Sequence, residues 1–91
     1  MVTVSRTYYP NRLRKYRKIM GYTQKQVAIF LGLGENNASR ISRWEQGIAL
    51  PSLQNVLKLS ILYRTLVNQL YYDLFSQYRP DILKAEAVFK S

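Results

Sequence analysis

The stretch LRKYRKIMGYTQKQVAIFLG, residues 13–32, decides the fold because it encodes two short helices separated by a glycine turn. Apolar side chains recur every three or four residues up to Gly21, which can adopt the left-handed conformation that ends many helices. Thr23 and Gln26 stand three residues apart, which is the spacing of a capping box at a helix start. We therefore predict a first helix over residues 11–20 and a second that begins after Thr23.

A third and a fourth helix are predicted beyond a turn rich in glycine and asparagine, residues 33–37. Asn37 is expected to cap the third helix, which runs to about Gln46. Pro51 suits the opening of the fourth helix, because the missing N–H of proline costs little in a first turn. Apolar spacing predicts that the inward face of this fourth helix comprises Leu53, Val56, Leu57, Ser60 and Ile61.

The last third of the chain is predicted to form two more helices. Thr65 is expected to cap a fifth helix that ends near Phe75. Pro80 is expected to begin a sixth and last helix, which ends near Lys90. No segment requires a strand, and only the N-terminal arm, residues 1–9, leaves room for one. The sequence therefore predicts an all-α fold.

The composition leaves few groups for catalysis or for binding a metal. The chain has 91 residues without cysteine or histidine, so thiolate sites, disulfides and the commonest general base are all excluded. We therefore expect no enzyme activity, no cofactor and no metal. No apolar run is long enough to cross a membrane and no signal peptide is visible, so we expect a cytoplasmic protein.

The charge of the chain is strongly positive and unevenly distributed. The net charge is +9, and residues 1–64 hold eleven basic and two acidic side chains, whereas residues 65–91 hold three of each. Such asymmetry is typical of a surface that binds a polyanion, with nucleic acid as the first candidate. Two alternatives are a solvated basic surface and a membrane surface, although no segment sets an apolar stripe against a lysine-rich face.

Three segments together resemble the lambda repressor/Cro helix-turn-helix family, which is also called the XRE family. They are residues 13–32 quoted above, ISRWEQG at 41–47, and PSLQNVLKLS at 51–60. The resemblance implies a five-helix lambda-repressor-like domain with an additional short C-terminal helix. It also implies binding to double-stranded DNA. In that arrangement helix two crosses the sugar–phosphate backbone and helix three, about residues 37–47, lies in the major groove.

The outward side chains of helix three are the candidates for contacts with DNA bases: Asn37, Ser39, Arg40 and Arg43. Arginine can donate two hydrogen bonds to guanine, and asparagine offers both a donor and an acceptor. The alternative for Arg40 and Arg43 is phosphate contact alone, which positions the protein without specifying a sequence. Trp44 is expected to lie in the core.

Candidates for phosphate contact and for internal bracing follow from the same resemblance. The family places phosphate contacts at positions matching Gln24 and Gln46, although a solvent-facing glutamine is the alternative for Gln24. Lys25 is a third candidate for phosphate contact. An arginine four residues before the helix-one glycine pairs in this family with a glutamate two residues before the helix-three glycine. Arg17 and Glu45 match both spacings and are expected to form a structural ion pair.

The turn between helices two and three departs from the family pattern. Eight residues separate Gly32 from Ile41, and the usual pattern has fewer. Either the turn is longer or helix three starts earlier. The positions of the first base-contacting residues depend on which of these holds.

The ends of the chain leave several interpretations open. The sequence divides into an arm (1–9), a helix-turn-helix domain (10–75) and a C-terminal helix (76–91). The arm can be a disordered tail, a strand in a dimer, or a segment that places Arg6 near a DNA groove. The aromatic C-terminal helices either support a homodimer or complete the core.

Three classes of function are consistent with this sequence. The first is a transcriptional regulator that recognises a DNA sequence and binds as a homodimer. The second is an antitoxin-like or other protein-interaction module that binds a protein partner through its C-terminal helices and also binds DNA. The third is a coating protein that binds nucleic acid without sequence preference, which would show the same affinity for scrambled duplexes.

Overall fold

The computed structural model describes residues 8–91, and the predicted arm lies outside the described residues as far as position 7. All regular secondary structure within residues 8–91 is helical, which confirms the all-α prediction. Its helices are α1 (Leu13–Met20), α2 (Gln24–Phe30), a single 3₁₀ turn (Glu35–Asn37), α3 (Ala38–Glu45), α4 (Leu53–Leu62), α5 (Val67–Leu70) and α6 (Tyr72–Lys90). No helix within residues 8–91 is long and apolar enough to cross a bilayer.

The boundary between α1 and α2 is set by local chemistry, as the sequence predicts. Gly21 has a φ of 76° and its N–H donates to the carbonyl of Lys18, which ends α1. Thr23 Oγ1 accepts from the backbone N–H of Gln26 at 3.1 Å, and Gln26 Oε1 accepts from the N–H of Thr23 at 2.9 Å. This complete capping box fixes the start of α2.

One apolar core lies beneath α1, α2 and α3 and continues to α4 and α5. Its members are Leu13, Val27, Ala28, Leu31, Ile41, Trp44, Leu59, Tyr63, Leu70 and Tyr71. Burial of each large aliphatic side chain stabilises the fold by roughly 1.5–3 kcal/mol. The two inward residues of α3, Ile41 and Trp44, are 1 % and 4 % exposed, so the core holds α3 from below.

The face of α4 that enters the core differs from the predicted one. Of the predicted inward residues, Val56 and Ser60 are half-buried, but Leu53, Leu57 and Ile61 are exposed. Asn55 and Leu59 are buried instead. Because α4 carries leucine or isoleucine on more than one side, apolar spacing alone does not select its inward face. Tertiary packing selects it, and the exposed leucines form an apolar outer surface on α4.

The end of the fold also differs from the prediction. The fifth helix is the single turn α5, preceded by Leu66 without any side-chain cap, so the predicted Thr65 cap is wrong. The nineteen-residue α6 runs without interruption through Pro80, which therefore begins no helix. A proline inside a helix removes only its own N–H bond and displaces one neighbouring carbonyl, and the flanking turns can continue. The predicted boundary between residues 75 and 76 falls inside α6.

The start of α6 is tied directly to the start of α1. The backbone N–H of Arg12 donates to the carbonyl of Leu70 at 2.8 Å. The guanidinium carbon of Arg12 lies 4.4 Å from the centre of the Tyr72 ring, a cation–π contact. These contacts flank the junction between α5 and α6, so the direction in which α6 leaves the domain is defined relative to α1.

Candidate nucleic-acid interface

The C-terminal end of α3 is held by the chain segment that precedes α1. The Asn11 side chain donates to the carbonyl of Trp44 at 2.9 Å, and the N–H of Tyr9 donates to the carbonyl of Gly47 at 2.8 Å. Gly47 has a φ of 77°, and a Cβ added there would lie 2.8 Å from the backbone oxygen of Tyr9 and 2.5 Å from the Tyr8 ring. The close approach of this segment therefore requires glycine at position 47.

An ion pair joins α1 to the same end of α3. Arg17 Nε donates to Glu45 Oε2 at 2.6 Å, and Arg17 Nη2 donates to Glu45 Oε1 at 3.0 Å. The two bonds form a bidentate ion pair. The Arg17 and Glu45 side chains are only 12 % and 4 % exposed. The hydrogen bonds to Glu45 raise the pKa of Arg17 above its usual value, so the guanidinium stays charged. Its remaining Nη1 donates to the carbonyl of Tyr22 at 3.0 Å.

The first residue of α2 is attached to this pair. Gln24 Nε2 donates to Glu45 Oε1 at 3.1 Å, and the Gln24 side chain is half-buried. Glu45 therefore orients Gln24 as well as Arg17. The sequence predicts a phosphate contact at Gln24 and a structural role for Arg17 and Glu45, and the structure joins the three side chains in one network.

A polar cleft of about 600 Å³ lies above this network, between α1, the start of α2 and the end of α3. Gln24 and Gln46 both line it, together with Ser42 and the exposed Arg14. Gln46 Nε2 donates to Ser42 Oγ at 2.7 Å. Arg14 and Ser42 are missing from the sequence-based candidates. Their spacing gives the signal, since Arg14 lies one turn before Arg17 and Ser42 one turn before Gln46.

The exposed face of α3 presents small and basic side chains. Ser39, Arg43 and Gln46 are all exposed and recur at spacings of four and three residues, so they lie along one side of the helix. Arg40 is exposed on the flank of this side, where its guanidinium carbon lies 5.7 Å from the centre of the Trp44 ring. Arg43 is thus central on the outward face, and Arg40 is held at its edge.

The long turn between α2 and α3 is resolved as an additional 3₁₀ turn. Gly34, with a φ of 90°, precedes this turn, and α3 begins after it at Ala38. Asn37 forms no side-chain cap on α3, and its Nδ2 instead donates to the carbonyl of Leu33. The predicted cap at Asn37 is therefore wrong, because the inserted turn uses that side chain to close itself. One of its two amide hydrogens is occupied by this bond.

The inserted turn also contacts Lys25, the third predicted phosphate contact. Lys25 Nζ lies 3.6 Å from a carboxylate oxygen of Glu35, and both side chains are more than 60 % exposed. An exposed pair of this kind contributes little to stability and leaves the lysine able to exchange partners. Unlike Gln24 and Gln46, Lys25 does not line the polar cleft.

The electrostatics of the domain leave its positive charge largely uncompensated. The two acidic residues within positions 8–64, Glu35 and Glu45, are each engaged by a basic side chain. Arg14, Arg40 and Arg43 form no salt bridge within the described part of the chain and are exposed around the cleft and the outward face of α3. Among residues 8–91 no cluster of metal-binding side chains occurs. The arrangement suits a polyanion.

Comparison with known proteins agrees with this architecture. A family profile described as helix-turn-helix matches residues 13–66, which is more than half of the chain. The HTH-type transcriptional regulator ImmR of Bacillus subtilis (strain 168) is 42 % identical over 52 residues, covering 57 % of this chain and 39 % of that protein. No solved structure gives a significant match. The chain belongs to the lambda repressor/Cro (XRE) family of helix-turn-helix DNA-binding domains.

Proposed function

We propose that this protein recognises a specific sequence in double-stranded DNA by placing the outward face of α3 in the major groove. The observation that carries the proposal is the contrast between the two sides of α3. Ile41 and Trp44 are buried and Glu45 is bound by Arg17, whereas Ser39 and Arg43 face outward. A helix held this firmly can offer its exposed side chains to base edges in a defined position.

Arg43 and Ser39 are the principal base-reading side chains in this proposal. Arg43 can donate two hydrogen bonds to guanine, a contact that contributes about 1–3 kcal/mol of discrimination against other bases. Ser39 lies one turn earlier and is small enough to allow close approach. Arg40 reads a base from the flank of the helix, and Asn37 uses its carbonyl oxygen and its second amide hydrogen.

The polar cleft supplies the phosphate contacts. Gln24 and Gln46 lie on its two sides, and Arg14 adds a positive charge beside them. A phosphate of the DNA backbone that approaches the cleft meets amide donors whose positions are set by Glu45 and Ser42. Lys25 contacts the backbone outside the cleft after it releases Glu35. These contacts fix the position of the protein along the DNA, and the outward face of α3 selects the base sequence.

The biological role that we propose is regulation of transcription. The matched relative carries that description in its name, and the chain spans 39 % of that relative's length. A DNA-binding domain that occupies a site near a promoter can exclude or contact the polymerase. The helix-turn-helix profile covers residues 13–66, so the proposal concerns DNA recognition by this region.

The decisive experiment is selection of bound duplexes from a random pool, followed by affinity measurements with single variants. Arg43→Ala is expected to weaken binding to the selected site by about 10- to 100-fold and to relax preference at one base pair. Arg14→Ala is expected to weaken binding to all sequences equally. It should also reduce the slope of log affinity against log salt concentration by about the value of one phosphate contact.

Lys84→Ala, which removes one positive charge on α6, is the matched control and should change neither affinity nor preference. Selection that yields no consensus would overturn sequence recognition and support the coating-protein alternative. A uniform loss across all sequences in Arg43→Ala would assign Arg43 to phosphate contact.

A second candidate function is a protein-binding module, and the exposed apolar surface of α6 favours it. Phe75, Tyr78 and Phe89 are 45 %, 54 % and 89 % exposed, which is unusual for aromatic side chains of a small domain. Copurification of a stoichiometric second protein that masks these residues would support that function.

A further inference from the structure

An exposed apolar stripe runs along the side of α4 that faces away from the core. It consists of Leu53, Leu57 and Ile61, which follow one another at intervals of four residues. Residues at this interval form a ridge on a helix, and such ridges are the surfaces through which helices most often pack against each other. The stripe therefore has the form of a helix-packing surface, and no other helix within residues 8–91 covers it.

An apolar hollow lies beside the last residue of this stripe. Its volume is about 190 Å³, and it is bounded by the C-terminal ends of α2 and α4. The exposed Phe30 ring forms one side and is supported by the Tyr22 ring, with 5.1 Å between the two ring centres. The residues that line the hollow are Phe30, Leu31, Lys58, Ile61 and Leu62. We call the stripe and the hollow together the α2–α4 surface.

Two cations cover the helix ends at this surface. Lys58 Nζ donates to the carbonyl of Leu31 at 3.0 Å, at the end of α2. Arg64 Nη1 donates to the carbonyl of Leu62 at 3.4 Å, at the end of α4. These bonds offset the negative ends of the two helix dipoles. Each cation retains further N–H groups that can donate to a carboxylate.

The α2–α4 surface has no acidic side chain in the lining of its hollow. The two acidic residues within positions 8–64, Glu35 and Glu45, are paired with basic side chains elsewhere. Lys58 and Arg64 are paired with no acidic side chain among residues 8–91. An apolar hollow flanked by two cations complements a ligand that is apolar at its centre and acidic at its edges.

We propose that the α2–α4 surface binds an acidic amphipathic helix of another protein. The apolar side of that helix lies along Leu57 and Ile61 and inserts one side chain into the hollow beside Phe30. Aspartate or glutamate side chains at its edge accept hydrogen bonds from Lys58 and Arg64. Recognition of this kind anchors a helix through residues at spacings of three and four.

The charge of the surface argues against two other occupants. A second copy of this chain, packed by two-fold symmetry, would bring the partner's own cations to the same edge, where they would repel Lys58 and Arg64. An anionic membrane is recognised by clusters of about four to eight lysine and arginine side chains. The α2–α4 surface holds two through contacts with its helix ends.

The α2–α4 surface lies apart from the candidate nucleic-acid interface. Gln24 begins α2 at the polar cleft, and Phe30 ends α2 about 9 Å further along the helix axis. None of the side chains proposed to contact DNA lines the hollow. Occupation of the cleft by a phosphate therefore leaves this surface open to a protein.

The exposed area is that of a weak, reversible contact. Phe30, Leu53, Leu57 and Ile61 are between 49 % and 77 % exposed. At about 200 Å² for each large side chain, they offer roughly 400–500 Å² of apolar surface, which matches the largest patch of a typical monomer. An interface of this size lies at the low end of specific contacts, so we expect a dissociation constant of roughly 1–50 μM.

The test begins with selection from a phage-displayed library of random peptides of about 16 residues, with the full chain as the target. Enriched peptides should carry apolar residues at spacings of three and four and a net charge of about −3 or lower. A synthetic copy of the most enriched peptide, labelled with a fluorophore, then gives the dissociation constant by fluorescence anisotropy.

Ile61→Asp should weaken binding of the synthetic peptide at least about 30-fold, because it removes an apolar contact and repels the acidic edge. Ile82→Asp is the matched control, since Ile82 on α6 is 67 % exposed and Ile61 is 77 % exposed. The control should change the affinity less than about threefold. Arg64→Gln should weaken binding about 3- to 10-fold at low salt and reduce its salt dependence, whereas Lys84→Gln on α6 should do neither.

The near-ultraviolet circular dichroism of each variant verifies that it is folded. A library that yields no enriched peptide, enriched peptides without acidic residues, or equal effects of Ile61→Asp and Ile82→Asp would overturn the proposal. Acidic peptides that lose affinity in Arg43→Ala, and not in Ile61→Asp, would occupy the outward face of α3 and would overturn it too.

Two further measurements examine the other occupants. Vesicles of phosphatidylcholine and phosphatidylglycerol in equal parts should sediment the wild type and Ile61→Asp to the same extent. Sedimentation equilibrium should give the same mass for these two chains. A loss of vesicle binding or of self-association in Ile61→Asp would assign the surface to a membrane or to a second copy, and either result would overturn the proposal.

This inference is independent of the proposed DNA recognition. A chain that binds the acidic peptide and selects no DNA consensus would leave the α2–α4 surface standing and overturn the proposed function. A chain that selects a consensus and binds no acidic peptide would do the reverse.

Discussion

Replacing Arg17 with methionine tests how firmly α1 holds α3. The change keeps an unbranched apolar stem and removes both hydrogen bonds to Glu45, at 2.6 and 3.0 Å, together with the one to the carbonyl of Tyr22. The Glu45 side chain is only 4 % exposed, so water reaches little of its carboxylate. Its remaining side-chain partner is the amide of Gln24. Breaking one side of a buried ion pair costs about 3–5 kcal/mol, and the lower end suits a pair at the edge of the core.

A loss of about 3 kcal/mol should lower the Tm of a domain of this size by roughly 12–24 °C. Thermal unfolding followed by circular dichroism gives the Tm, and urea titration gives the free energy of unfolding. Lys15→Met is the matched control, since Lys15 is an exposed cation on the same helix and should shift stability by less than about 0.5 kcal/mol. Arg17→Met combined with Glu45→Met should recover most of the loss, because no charge is then left buried.

A fall of the Tm by less than about 4 °C in Arg17→Met would refute this reasoning, because it would mean that the carboxylate finds water or another donor. A double variant no more stable than Arg17→Met would refute it as well. DNA affinity provides a second readout, since Gln24 loses its fixed position whenever Glu45 moves.

Three further outcomes follow from single contacts. Gly47→Ala should destabilise the domain by about 2 kcal/mol or more, because the new Cβ would lie 2.8 Å from the backbone oxygen of Tyr9. Gly21→Ala, with a similar φ and open space around it, should cost about 1 kcal/mol by chemical denaturation. Tyr63→Phe should leave the Tm unchanged or raise it, since the buried Tyr63 hydroxyl has no hydrogen-bond partner among residues 8–91, and a marked fall would reveal one. Burial raises the pKa of Tyr63 and of Tyr71 above the usual value of 10.0, so the stability tied to their neutral forms is intact below about pH 10 and falls as pH rises further. A urea midpoint that stays constant from pH 9 to about 12 would contradict burial as the cause of the raised pKa values.

Features that depend on neighbouring residues were predictable from the sequence. The capping box of Thr23 and Gln26 and the left-handed end of α1 at Gly21 are local, and both lie at the predicted positions. The burial of Trp44 was also predictable, since its spacing from Ile41 places both on one side of a helix.

Features that depend on packing between distant segments were not predictable. An α4 with leucines on several sides has no single apolar face, so only its neighbours decide that Leu59 enters the core. The Asn37 side chain can either accept from a backbone N–H at the start of α3 or donate to a nearby carbonyl, and the inserted 3₁₀ turn presents the carbonyl of Leu33. Arg14 becomes part of a cleft only when α3 lies across α1.

The candidate interface also combines features that were predictable from the sequence with features that were not. Arg17 and Glu45 matched a family spacing, and the structure brings their side chains into contact. The link from Glu45 to Gln24 was not foreseen, because the position of Gln24 along the chain carries no information on the distance between the two side chains.

The attachment of Arg12 at the root of α6 has a consequence for the position of the far end of that helix. A helix of nineteen residues is about 28 Å long, so a rotation of roughly 10° at its root would displace its far end by about 5 Å. The cation–π contact between Arg12 and Tyr72 therefore restrains a motion that α6 amplifies along its length. Arg12→Ala should widen the range of positions that Lys90 samples relative to α1, which distance distributions between spin labels on the two helices would detect.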